Sequence, residues 1–220
     1  MRYLILLVLI LFAACQAPKR APDKEVKIPD KYGKCSQEIH MFDQLSKTGQ
    51  LQKAIQELEK CPDELPALFL QEEIMQRNYD KFTDATWFTI SKRFKYFRSP
   101  LENFSLVFFR TNNMCELRIV YSYFGSNWLF MDRATLFSEP NNRYFVSFIN
   151  PYRKVVQNGI YEEYNITAIG EHLQFIENAI QSKSLDIRLS GDTYHHDVSL
   201  GANDLALLGF ILKEQSKFCQ

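Results

Sequence analysis

The densest group of side chains able to do chemistry is Asp192, His195, His196 and Asp197, near the end of the chain. Imidazole and carboxylate groups can ligate a divalent metal or move protons. One reading is therefore a hydrolase or metal-binding protein centred on His195, His196 and Asp197. The spacing argues against it. Adjacent residues of a strand point to opposite faces, so His195 can share a face with Asp197 but not with His196. A third ligand would have to come from elsewhere, and no motif nominates one. These three stand only as candidates, and no catalytic or metal site is assigned.

The remaining signatures are absent. His40 and His172 belong to no H-E-x-x-H pattern. Ser190-Gly191 and Ser199-x-Gly201 are not the G-x-S-x-G of a nucleophile elbow. No glycine-rich phosphate loop occurs, so no cofactor is expected. Glu162-Glu163 lacks a second carboxylate at a defined distance and reads as a solvated strand edge. The balance leans away from an enzyme.

The elements that would carry these residues follow from apolar spacing. Ile39, Phe42 and Leu45 form a helical stripe, Thr48-Gly49 breaks it, and Leu51, Ile55 and Leu58 resume it. Two short helices joined by a tight turn make an antiparallel hairpin. A third helical stretch is expected over roughly 64–77. From about residue 84 the chain turns aromatic and β-branched, and Leu117, Ile119, Tyr121 and Tyr123 alternate as on one strand face. Strands are expected over 86–97, 104–111, 116–124, 128–137 and 143–149, and Asn158-Gly159 marks a hairpin. Residues 168–182 read as a helix, 185–190 and 193–198 as a hairpin, and Asn203 as the cap of a last helix to about residue 217. The fold class is α+β: an N-terminal helical hairpin or three-helix cap, then an antiparallel sheet, a meander with two C-terminal helices on one face.

The first fifteen residues carry a different message. Met1-Arg2-Tyr3 is followed by nine apolar residues and Ala13-Ala14-Cys15, the three parts of an export signal. The apolar run falls short of the ~20 residues a spanning helix needs. Ala13-Ala14-Cys15 resembles the lipobox of bacterial lipoproteins. The resemblance implies cleavage before Cys15, lipidation of its sulfur and a membrane anchor. Gln16 is not the Asp that resembles an inner-membrane retention signal, so the expected place is the cell envelope, at the outer membrane rather than the inner. Residues 15–34 then form a lipidated tether with a net charge of +3 and prolines at 18, 22 and 29. A helical region is expected over 35–83 and an antiparallel α+β domain over 84–220.

Arg2 is the one charge in residues 1–14, so the exported chain has 25 basic and 26 acidic residues. That balance speaks against nucleic acid as a partner. With Cys15 lipidated, Cys35, Cys61, Cys115 and Cys219 remain, an even number that reads as two disulfides in an exported protein. Cys35 precedes the first helix and Cys61 follows the second, so the hairpin returns them to one end. Cys115 with Cys219 follows by elimination. Phe108-Phe109 and Tyr123-Phe124 put aromatic groups on both faces of their strands. One face packs on the C-terminal helices, and the N-terminal helices or a partner must cover the other. The leading expectation is a non-catalytic envelope lipoprotein that binds another protein, as an assembly or immunity-type module. A carrier of an apolar ligand is the third reading.

Overall fold

The computed structural model describes residues 30–62, 64–91 and 100–218. The expected signal peptide, Cys15, most of the expected tether and Cys219 lie outside them, as do residues 92–97 of the first expected strand.

A short 3-10 turn, Asp30–Cys35, leads into α1, Ser36–Lys47. Ile39 and Phe42 are its buried stripe. The helix stops at Gly49, whose φ of +76° suits glycine far better than any other residue. The second helix, α2 (Leu51–Leu58), buries Ala54, Ile55 and Leu58. The hairpin brings Cys35 and Cys61 together in a disulfide with a Cα–Cα distance of 5.7 Å. Cys115 is also disulfide-bonded.

The third helix ends sooner than its apolar spacing predicts. The segment α3 covers Glu64–Phe69, widens into a π turn over Leu70–Ile74, and the chain then becomes strand β1, Met75–Asp80. Pairing with β2, Ala85–Ile90, takes Met75 to Asp80 through six antiparallel positions. That ladder overrides the helical tendency and carries the sheet into the region read as helical up to residue 83.

The expected single meander is two sheets. Strands β3 (Phe104–Arg110) and β4 (Cys115–Gly125) continue the first sheet. The chain then leaves it through residues 126–132. Strands β5 (Arg133–Ser138) and β6 (Asn142–Ser147) belong to a second sheet. Strands β7 (Tyr152–Val156) and β8 (Gly159–Thr167) return to the first, giving the order β1-β2-β3-β4-β8-β7. After helix α4, Gly170–Ser182, strands β9 (Leu185–Ser190) and β10 (His195–Leu200) complete the second, ordered β10-β9-β5-β6. All of these pairings are antiparallel.

The last helix, α5 (Ala202–Phe218), buries Leu205, Leu207, Leu208, Phe210 and Ile211, positions spread around its circumference. A helix apolar on most sides belongs inside a core. It touches α2, α3, α4, β3 and β10, so it joins the helical layer to both sheets. The N-terminal helices thus pack chiefly on α5 rather than over the outer face of the first sheet. On that outer face Arg118 lies over the rings of Trp87 and Phe109, at 5.4 and 4.7 Å from their centroids.

Candidate binding surface

The crossover between the sheets, residues 126–132, is held by side chains that bear on function. Glu162 lies on β8 opposite Tyr123 of β4 and Arg153 of β7, so these three share the inner face. The Glu162 side chain is fully buried and accepts from three successive backbone N–H groups: Leu129 (2.7 Å), Phe130 (2.9 Å) and Met131 (2.7 Å). Arg153 Nε donates to the same carboxylate at 3.1 Å, and its Nη2 donates to the Met131 carbonyl, also at 3.1 Å. Converging backbone N–H groups make an anion-binding concavity, here filled by the protein's own carboxylate. The reading of Glu162 as a solvated strand edge is therefore corrected. The burial of a charge requires such partners, and they come from a loop 31–33 residues earlier in the chain.

Further contacts complete the loop. The Asp132 N–H donates to the Ser190 carbonyl at 2.9 Å, and the Phe148 N–H to the Asp132 carbonyl at 2.7 Å. Tyr194 and Tyr123 donate their hydroxyls to the Asn127 carbonyl at 2.7 and 3.3 Å. Gly191 lies behind the loop, where a Cβ would fall 1.7 Å from the Leu129 carbonyl oxygen.

Held this way, Phe130 adopts a φ of +53°, a region bulky residues rarely occupy. The residue is 47% exposed, and its ring stacks on Trp128 at 6.0 Å and lies beneath Arg153, 5.7 Å from the guanidinium carbon. Tyr194 is also at the surface, and Val155 and Tyr152 are exposed on neighbouring β7. Rigid aromatic groups with an arginine can anchor a protein partner. Among the described residues β7 is an edge strand of the first sheet, and such an edge presents backbone groups for pairing. A sequence reading could have found Trp128 and Phe130 only as part of a strand, since their apolar types match β propensity.

The histidines take separate places. His195 and Asp197 share the exposed face of β10, 3.7 Å apart. Asp197 is gripped by Arg188 through two hydrogen bonds of 2.7 Å, which with His195 and His196 hold its carboxyl below the usual range. His196 turns to the other face and meets the ring of Tyr123 edge-on at 5.4 Å. Burial lowers its pKa. The three candidate ligands do not converge. Asp192 lies in the turn between β9 and β10.

His172, left without a role by the sequence, is buried at the start of α4. Its Nε2 shares a 2.6 Å hydrogen bond with the Tyr121 hydroxyl, and Tyr144 stacks on it at 5.0 Å. Burial pushes its pKa down to about 4 and raises that of Tyr121. Both groups stay neutral at physiological pH. They are part of the aromatic packing between the first sheet, α4 and β6.

No family model, no curated protein and no solved structure matches this chain.

Proposed function

We propose that the protein is a lipid-anchored envelope protein with a non-catalytic role in binding another protein, in assembly or as an immunity-type module. The partner would dock on the loop at Trp128 and Phe130, with Arg153 and Tyr194 beside it. The observation that carries this reading is the positive φ of exposed Phe130 under the Glu162 clamp. Such a conformation costs about 1–3 kcal/mol in a non-glycine residue and accumulates at ligand-contacting sites.

Anchoring rests on Ala13-Ala14-Cys15. It tethers the domain to the envelope, at the outer membrane by the identity of Gln16. Fatty-acid labelling in cells tests that half: the label should mark the wild type and vanish in Cys15→Ser. A photocrosslinking amino acid tests the other half, placed in the anchored protein at position 130 or, as a control, at the exposed position 145. One protein adduct is expected from position 130 and none from 145, with the adduct lost when Trp128→Ala is added. The same adducts from both positions, or none from position 130, would sink the docking surface and leave the anchor standing.

A further inference from the structure

The opposite edge of the first sheet carries a groove of about 710 Å³. Ligand sites commonly fall between ~300 and 1,000 Å³. Its floor comes from alternate residues of β1, β2 and β3 on the inner face of the sheet. Met75 and Phe88 are buried in it, while Arg77 and Arg110 are exposed. The register fixes their placement. Arg77 lies opposite Phe88 on β2, and Arg110 lies opposite Thr86 two residues earlier, so both arginines flank β2 on one face.

The lining sets two arginines, Arg77 and Arg110, against two carboxylates, Glu72 and Asp84, so its formal charges balance without the arginines being paired to them. Asp84 is engaged, accepting from the Tyr79 hydroxyl at 2.9 Å and from Asn112 Nδ2 at 2.5 Å. Those bonds join the β1–β2 turn to the β3–β4 turn and hold the rim in shape. Glu72 has an interaction of its own. Among the described residues, Arg77 and Arg110 make no ion pair or side-chain hydrogen bond. Both carboxylates have interactions of their own, and the two guanidinium groups are left without an ion pair, above a floor that includes Met75 and Phe88.

We infer that this groove binds an oxyanion ligand, a carboxylate or phosphate, whose apolar stem rests on Met75 and Phe88 while Arg77 and Arg110 hold its oxygens. Planar guanidinium groups match both oxyanions in paired hydrogen bonds. The site shares no residue with the Trp128–Phe130 surface and stands or falls without it.

The test is titration of the full chain with butyrate, butyl phosphate, butylammonium and butanol, followed by NMR of the Thr86 and Asn112 amides and the arginine Nε–H groups. Saturable shifts are expected with an anion and not with butylammonium or butanol. The tighter of butyrate and butyl phosphate identifies the source of the oxyanion. Arg77→Gln and Arg110→Gln should each weaken binding about tenfold or more, with circular dichroism unchanged, whereas Arg133→Gln on the second sheet should leave it intact. Equal shifts from butanol, no saturation with either anion, or undiminished binding in the Arg77→Gln/Arg110→Gln double variant would overturn the assignment.

Discussion

Glu162 is the residue on which most of the crossover geometry converges. Replacing it by glutamine keeps the volume but removes the charge and sets an amide N–H₂ against backbone donors. Breaking a fully buried ion pair costs about 3–5 kcal/mol. Because the Arg153 side chain remains 33% exposed and can rehydrate, a loss of about 2–4 kcal/mol is expected for Glu162→Gln. Urea unfolding measures it, and a change below about 1 kcal/mol would contradict the clamp. Gly191→Ala should strain the same loop from the other side, since its Cβ would overlap the Leu129 carbonyl. Its expected signature is lower stability together with shifted amide resonances over 128–132.

His172 makes a pH prediction. Its pKa is about 4 in the fold against 6.5 for the free side chain. The unfolded chain therefore binds a proton that the folded chain refuses between those values. This contribution is complete above pH 6.5 and is lost as the pH falls toward 4. At about 1.4 kcal/mol per pKa unit the loss reaches about 3 kcal/mol. In His172→Gln, which keeps a hydrogen-bonding group for Tyr121, stability should fall less over that window. Equal slopes for the two proteins in paired denaturation series would refute the assignment.

Among the elements, the helical hairpin is legible because all of its determinants are local. Apolar spacing, the Thr48-Gly49 break and two flanking cysteines lie within one short stretch, and the Cys35–Cys61 bridge follows from helix length alone. Asn203 shows where local reading stops. It was expected to cap α5, but Asp204 accepts from the Gly201 N–H there, at 3.0 Å. Asn203 instead reaches the α1–α2 turn: Oδ1 accepts from the Gln52 N–H at 3.1 Å, and Nδ2 donates to the Gly49 carbonyl at 2.6 Å. It therefore caps α2 from 151 residues away in sequence. Asn203→Ala should cost about 1 kcal/mol, the usual value of a cap, and increase hydrogen exchange in the first turn of α2. A variant that affected only the start of α5 would show the cap to be local after all.

At the scale of the molecule, the buried side chains from Cys35 to Ile211 form one continuous cluster through the helices and both sheets. With α5 linking its parts, the described fold should unfold as one unit. Far-ultraviolet circular dichroism and tryptophan fluorescence should trace coincident denaturation curves. Early loss of helix before the tryptophan signal would show that the N-terminal helices form a separate unit.

What the sequence determined by itself was the α+β class, the helical hairpin with its disulfide, and most strands of the first sheet. These depend on side-chain period and on contacts between chain neighbours. Tertiary structure alone decided that 75–80 becomes a strand, because pairing with Ala85–Ile90 satisfies backbone groups that an extended α3 would have bonded internally. It also decided that the chain changes sheets after β4. Trp128 to Met131 have strand-forming side chains, but their backbone N–H groups at 129–131 are claimed by one carboxylate on β8. Residue period reports which side chains can be buried together. It carries no information about which distant acceptor captures a backbone donor, and that choice turned an apparent strand into the surface loop bearing Phe130.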